Sequence, residues 1–173
     1  APFGTSSAAH RVVRLMKAIT YSQTGDTSVL QLHDREVPDP DVGQVRVRIV
    51  LSGVNPTDWK HRKGTSPGQH LEFPEVVPHH DGAGVVDAVG AGVTDLAVGD
   101  RVWVFMAQHQ RPDGTAQEYV VLPVASVVPL PDSVGFDVGA SLGVPAITAH
   151  RALTVAENWP SRLAPGALAG ATV

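Results

Sequence analysis

One stretch of the sequence, residues 76–105, limits the possible folds more than any other part of the chain. It contains two apolar segments, residues 83–89 and 101–105, in which β-branched valines predominate. Such segments favour short and largely buried strands. The link between them is rich in glycine and ends in Gly99-Asp100, which predicts a tight turn before the second strand. We therefore expect the chain to fold around short, paired strands.

The rest of the chain adds further segments of the same kind. Residues 44–51 alternate cleanly, with Val45, Val47 and Ile49 on one face and arginines on the other. Proline and glycine are frequent, at 14 and 17 residues, and this favours short strands and many turns over long helices. Strands are therefore also predicted at residues 16–21, 29–37, 116–122 and 126–129.

A few short helices are predicted between and after these strands. Residues 57–63 favour a short helical turn with Gly64 as its C-terminal cap. Residues 137–142 continue a helical region, and residues 145–156 are the best helix candidate because their apolar residues recur at helical spacing. A chain of 173 residues usually makes one domain. The sequence thus predicts a mainly β domain followed by a crossing helix.

Charge and composition exclude several classes of partner. A formal net charge of −4 and a pI near 6.0 give no broad attraction to nucleic acid or to an anionic membrane. No stretch approaches the roughly 20 apolar residues of a membrane-spanning helix. The chain contains no cysteine, which excludes disulfides and thiolate metal sites and fits a reducing compartment. We therefore predict a cytoplasmic protein without nucleic-acid or membrane partners.

Longer motifs in the sequence resemble a known family. They are QVRVRIVLSGVNPTDWKHRKG, PHHDGAGVVDAVGAGVTDLAVGDRVWVF, GTAQEYVVLP and LPDSVGFDVGASLGVPAITAHRAL, in this order. They resemble the N-terminal, GroES-like catalytic domain of the medium-chain dehydrogenase/reductase superfamily, in its zinc-independent quinone oxidoreductase, or zeta-crystallin-like, branch. The resemblance implies a GroES-like, partly open β-barrel. It also implies a parent protein of the α/β class with a Rossmann domain that is missing here.

The resemblance also divides the chain into three parts. Residues 1–15 are an N-terminal tail or a cloning remnant, and residues 16–144 are the GroES-like catalytic domain. Residues 145–173 are the connecting helix and the start of the missing nucleotide-binding domain. No G-x-G-x-x-G phosphate loop occurs, so the binding site for the dinucleotide pyrophosphate is expected in downstream sequence or in a separate chain. This piece alone is expected to be inactive because it lacks the nucleotide-binding half. Relatives are commonly dimers, so the complete protein is expected to be a homodimer.

The same resemblance implies an activity and candidate site residues. The complete protein would transfer hydride from NADPH to an electron-poor carbonyl acceptor, a quinone or an enone. Asn55 matches an asparagine near nicotinamide and substrate, and is predicted to be both catalytic and cofactor-binding. Thr148 matches a threonine that contacts the nicotinamide carboxamide, and Val144 and Pro145 shape the bend beside it. Lys60, predicted to be catalytic, occupies a position where relatives often place a tyrosine that lines the acceptor site.

Three of these candidates, Asn55, Thr148 and Lys60, also have a purely structural interpretation. Asn55 precedes Pro56, and asparagine is a common turn former. The Thr148 hydroxyl can bond back to its own helical turn. The Lys60 ammonium can be fully solvated, with the neighbouring Trp59 in the core.

No metal site is predicted. Zinc-dependent relatives bind their metal through positions that correspond here to Asn55 and His80, and neutral asparagine is a poor zinc ligand. Adjacent residues of an extended segment point in opposite directions, so His79, His80 and Asp81 are not expected to converge on one ion. The alternatives are a zinc-dependent alcohol dehydrogenase-like enzyme, or a GroES-like binding or structural module without activity.

Overall fold

The computed structural model describes residues 13–64, 70–155 and 159–171 and consists mainly of β-strands. Within these ranges the strands are β1 (Leu15–Thr20), β2 (Gln31–Glu36), β3 (Gln44–Gly53), β4 (Asp81–Val89), β5 (Arg101–Val104), β6 (Tyr119–Pro123) and β7 (Val127–Pro129). The α-helices are α1 (Pro56–Lys63), α2 (Phe136–Ala140) and α3 (Gly143–Thr154). The predicted mainly β fold with a few short helices is therefore confirmed.

Most strands belong to one antiparallel sheet of five strands, in the order β6-β3-β4-β5-β7. Strands β1 and β2 form a separate antiparallel pair. Irregularities in the β3–β4 register, between Arg46 and Val47 and between Ile49 and Leu51, bend the larger sheet. The larger sheet curls into the partly open barrel expected from the sequence.

The main core lies between the strands of this curled sheet and consists mostly of valine. In β3 the residues Val45 and Val47 are fully buried, as their alternation predicts. Arg46 lies on the other face, where its Nε is 2.7 Å from Oδ2 of Asp87 in β4. The buried members of the core come from β3, β4, β5, β6, β7 and the loop around them: Val45, Val47, Val86, Leu96, Val102, Val104, Ala107, Val120, Leu122 and Val127.

Gly84, in the middle of β4, is required by the close approach of β3. A Cβ at this position would lie less than 3.0 Å from the carbonyl oxygen of Arg48, which is backbone and cannot rotate away. A glycine inside a strand permits such a close backbone approach, which a Cβ would prevent.

Several element boundaries differ from the predicted ones for local reasons. β2 begins at Gln31, because residues Thr27–Val29 form a 3-10 turn in which the Asp26 side chain accepts a hydrogen bond from Ser28 N at 2.9 Å. β6 begins at Tyr119, because the preceding segment turns to meet β1, where Ala18 forms an isolated bridge with Gln117. β1 begins at Leu15, the last residue of the predicted tail, and residues 1–12 lie outside the described part of the chain.

Helix α3 begins two residues before the predicted start and ends at Thr154. The predicted last residue, Ala156, lies outside the described residues. The apolar periodicity of α3 does not produce a buried face, because Ile147 is 43% exposed and only Gly143 among its residues is buried. The helix is therefore anchored through its first turn, and the positions that matter for the site lie in that turn.

Candidate functional site

The backbone of Asn55 is fixed by the start of helix α1. β3 ends at Gly53, and Asn55 is the N-cap residue, followed by Pro56 in the first helical position. The Asn55 N–H donates to Oδ2 of Asp58 at 2.6 Å, and the Asp58 N–H donates back to the Asn55 carbonyl at 3.0 Å. These reciprocal bonds satisfy two backbone groups at the helix start. The turn-forming role considered for Asn55 is therefore present, and its backbone performs it.

The side chain of Asn55 is directed to Asp81 at the start of β4. Asn55 Nδ2 donates to Oδ2 of Asp81 at 2.8 Å. The backbone N–H of Val144, in the first turn of α3, donates to the same oxygen at 2.7 Å. Asp81 is fully buried and Asn55 is 5% exposed. One carboxylate oxygen thus joins the end of β3, the start of β4 and the start of α3. We call Asn55, Asp81 and Val144 the Asp81 junction.

Burial changes the acidity of the carboxylates near this junction. Burial raises the pKa of Asp81, while the hydrogen bonds from Asn55 and Val144 act in the opposite direction by favouring the ionised form. Burial likewise raises the pKa of Asp58, opposed first by its bond from the Asn55 backbone. Hydrogen bonds from neighbouring N–H groups therefore offset part of the effect of burial on the pKa of both carboxylates.

Two glycines allow the helices to pack directly on the junction. A Cβ on Gly143 would lie less than 3.0 Å from both carboxylate oxygens of Asp81. A Cβ on Gly53 would lie less than 3.0 Å from the carbonyl oxygen of Ala140, in α2, and 3.1 Å from Cβ of Asp81. Side chains at these two positions would therefore separate α2 from the end of β3 and α3 from Asp81 at the start of β4.

An open groove lies beside the junction. Its volume is about 280 Å³, and it runs between the end of β3 and the helices α2 and α3. Asn55 and Pro145 line it together, so the structure brings these two predicted site residues to one surface. The groove is formed by Leu51, Ser52, Gly53, Val54, Asn55, Asp137, Ala140, Ser141 and Pro145.

The other predicted site residues lie around this groove and not in its lining. Val144 contributes its N–H to the junction. The Thr148 side chain is exposed, and its hydroxyl donates to the Val144 carbonyl at 2.7 Å, which is the back-bond considered in the sequence analysis. Lys60 is exposed on α1 with its ammonium 5.8 Å from the centre of the Trp59 ring. Trp59 is itself 45% exposed, so it is not a core residue.

A second cavity, of about 340 Å³, contains a group of histidines that the sequence analysis did not bring together. His61, His70, His80 and His109 line it with Tyr21 and other residues. The rings of His61 and His80 meet edge to face, with centroids 6.3 Å apart. Burial lowers the pKa of His80; Asp81 opposes this, whereas His61 and His109 add to it. These histidines come from separate segments, and no local sequence pattern signals their proximity.

The side chains at the family's two zinc positions, Asn55 and His80, face different partners. The triplet from His79 to Asp81 diverges, because His79 Nδ1 lies 2.8 Å from Ser52 Oγ, His80 faces the histidine cavity and Asp81 faces Asn55. Among residues 13–64, 70–155 and 159–171, no group of three or more His, Cys, Asp or Glu side chains is placed to hold a metal. Asn55, at one of the family's zinc positions, presents its amide nitrogen to Asp81.

Comparisons with known proteins agree with this fold. Residues 41–132 match the family model of the alcohol dehydrogenase GroES-like domain. Quinone oxidoreductase from Lama guanicoe is 39% identical over 142 residues, which are 81% of this chain and 41% of that protein. The solved quinone oxidoreductase from Pseudomonas syringae pv. Tomato DC3000 superposes with a TM-score of 0.71 at 36% identity, covering 84% of this chain and 43% of that one.

A second solved structure, of a mycobacterial protein complexed with NADPH, has a TM-score of 0.69 at 31% identity and covers 83% of this chain and 41% of that one. The chain belongs to the alcohol dehydrogenase GroES-like domain family, in the quinone oxidoreductase branch of the medium-chain dehydrogenase/reductase superfamily. It spans about two fifths of the length of the curated relatives that it matches.

In the described part of the chain, no helix is long and apolar enough to cross a bilayer.

Proposed function

We propose that the chain is the catalytic-domain portion of an NADPH-dependent oxidoreductase that reduces quinones or enones. The observation that carries the proposal is the position of the Asn55 amide, beside a groove that it shares with Pro145 at the start of α3. The quinone oxidoreductase relatives support the reaction class, and the NADPH-bound mycobacterial structure supports the cofactor.

The groove and its surroundings fit a nicotinamide ring and a carbonyl acceptor. The Asn55 amide nitrogen has two hydrogens, so its bond to Asp81 leaves one to donate to a ligand oxygen. The Thr148 hydroxyl uses its hydrogen on Val144, which leaves its lone pairs to accept from a carboxamide N–H. Pro145 and Ala140 contribute apolar wall to the groove that Asn55 also lines.

NADPH supplies the hydride when it is bound, and the chain supplies orientation and charge stabilisation. Asn55 would donate its free N–H to the carbonyl oxygen of a bound acceptor and so stabilise the negative charge that this oxygen gains when the acceptor is reduced. Val144 and Pro145 form the wall against which the nicotinamide lies, and Thr148 accepts from its carboxamide. We propose Lys60, which is exposed on α1 with its ammonium 5.8 Å from the centre of the Trp59 ring, as the cationic group on the acceptor side.

We propose that the pyrophosphate of NADPH binds to a nucleotide-binding half, which is present as downstream sequence or as a separate chain. The matched relatives are more than twice as long as the segment they share with this chain, which leaves room for such a half. We further propose that the complete protein is a cytoplasmic homodimer. The cysteine-free sequence fits that compartment. The zinc-dependent alternative has no support from the donor set around Asn55 and His80.

The test is NADPH oxidation with a quinone, measured on the protein that includes its nucleotide-binding half. In the double variant Asn55→Ala, Thr148→Ala, kcat/KM should fall by about 10²–10³, the usual effect of losing one oxyanion donor, or by more. The control is Thr154→Ala, since Thr154 makes the same back-bond in α3, to His150 O at 2.8 Å, away from the groove. Unchanged turnover in the double variant, or an equal loss in the control, would refute the assigned roles.

A further inference from the structure

We propose that Asp81 is a positioning residue, which sets the direction of the Asn55 amide and holds the first turn of α3 beside the groove. The proposal rests on the proposed function for its consequence in catalysis. Its structural half, the control of Asn55 and Val144 by one carboxylate, is tested independently of any activity.

The chemistry of the carboxylate determines which end of the amide faces it. An ionised carboxylate can only accept hydrogen bonds, whereas the asparagine amide has one donor end and one acceptor end. With Asp81 Oδ2 at 2.8 Å, only the NH2 end of Asn55 can face it. The amide is therefore held in one of its two possible orientations, with the second N–H left for the acceptor. A neutral partner that both donates and accepts would permit the reversed amide.

The same oxygen anchors helix α3. The first N–H groups of a helix have no partner within the helix. Leu142, the N-cap of α3, makes no side-chain capping bond, and Val144 instead donates to Asp81 at 2.7 Å. The positive end of the helix dipole also stabilises a negative charge at this place. Asp81 thus performs the capping role from a distant strand and fixes the turn that contains Val144 and Pro145.

The carboxylate has little room to adopt another position. Asp81 is fully buried, and its second oxygen, Oδ1, is buried without a hydrogen-bond partner among the described residues. A Cβ on Gly143 would lie less than 3.0 Å from both oxygens. The substitution Gly143→Ala therefore forces the first turn of α3 and the Asp81 carboxylate apart without removing the carboxylate, and gives a second perturbation of the junction.

The structural half is tested by NMR on the 173-residue chain labelled with ¹⁵N. In Asp81→Asn and in Gly143→Ala, the side-chain amide signals of Asn55 and the backbone amide of Val144 should shift together. The control is Asp87→Asn, because Asp87 is also a carboxylate of β4, but it is only half-buried and pairs with Arg46. If both signals stay in place in Asp81→Asn, or move equally in Asp87→Asn, the positioning role is wrong.

The catalytic half is tested on the protein with its nucleotide-binding half. Asp81→Asn should lower kcat for a quinone by about tenfold, less than the 10²–10³ expected for deleting an oxyanion donor, with the KM for NADPH nearly unchanged. A purely structural role would lower thermal stability and leave kcat per folded molecule unchanged, which would overturn the proposal. If the wild-type protein reduces no quinone or enone, the proposed function fails, and the NMR result alone decides whether Asp81 orients Asn55.

Discussion

Gly53→Ala is the substitution for which the structure predicts the clearest effect on the packing around the site. Gly53 is the last residue of β3, two positions before Asn55. An added methyl group would lie less than 3.0 Å from the carbonyl oxygen of Ala140 and 3.1 Å from Cβ of Asp81. The nearest atom belongs to the backbone of α2, so only a shift of that helix can relieve the clash.

The expected magnitude follows from two opposing effects. Overpacking in a well-packed site costs about 1–3 kcal/mol. Replacing glycine by alanine also reduces the freedom of the unfolded chain, which offsets about 0.4–1 kcal/mol. We expect a net loss of about 1–2 kcal/mol in the free energy of unfolding, or about 2–8 °C in Tm for a domain of this size.

The assay is thermal unfolding of the chain, followed by circular dichroism, with Gly25→Ala as the matched control. A Cβ on Gly25 would lie 2.6 Å from Cγ1 of Val29, which is the end of a side chain in a surface turn and can rotate. The control should therefore change the free energy of unfolding by less than about 0.5 kcal/mol. If Gly53→Ala is as stable as the wild type, or if the control is equally destabilised, the close packing of α2 on β3 is wrong.

Three further predictions concern charged groups. Burial lowers the pKa of His80 from 6.5, so the neutral imidazole stabilises the fold at pH values above 6.5, and this contribution is lost as pH falls through the lowered pKa. His80→Asn should therefore flatten the Tm–pH curve in this range. Burial raises the pKa of Asp58 from 3.8, so the wild type should lose stability relative to Asp58→Asn as pH rises through the raised pKa, as measured by urea unfolding at several pH values. Arg46→Gln, which removes a 2.7 Å bond to Asp87 and a 2.9 Å bond to Pro38 O, should cost about 1–3 kcal/mol in urea unfolding. Unchanged pH profiles or an unchanged urea midpoint would contradict the respective prediction.

The strand core was predictable because it depends on local patterns. The alternation of Val45 and Val47 with Arg46 determines which face of β3 is buried, and the structure follows it. The helix at residues 57–63 and its cap at Gly64 were also predictable, because a short polar segment is followed by a glycine. In the structure Gly64 has a φ of 73°, in the region that favours glycine. These features need no knowledge of the rest of the chain.

The shared oxygen of Asp81 was not predictable from local patterns. Asn55 and Val144 are far apart in the sequence, and only the packing of α3 on the start of β4 brings both to one carboxylate. In the sequence Asp81 stands beside His79 and His80, and nothing there connects it with Asn55. His79 has a φ of 82° and β4 begins only at Asp81, so the alternation of an extended segment does not explain why the triplet diverges.

The exposure of the apolar residues of α3 was also not predictable from their spacing in the sequence. Its apolar spacing predicts a helix with one apolar face, but spacing does not say which neighbour covers that face. In the structure Ile147 is 43% exposed, while the first turn is tightly packed against Asp81 through Gly143. The histidine cavity was not predictable for a similar reason, because only the fold brings His61 and His109 to the same cavity.

The most direct test of the proposed site is a crystal structure with NADPH bound to the protein that includes its nucleotide-binding half. The account predicts that the nicotinamide ring lies against Val144 and Pro145, with its carboxamide within hydrogen-bond distance of the Thr148 hydroxyl. It also predicts that the free N–H of Asn55 faces the position of the acceptor oxygen. A nicotinamide ring in the histidine cavity, or an Asn55 side chain remote from the ring, would contradict it.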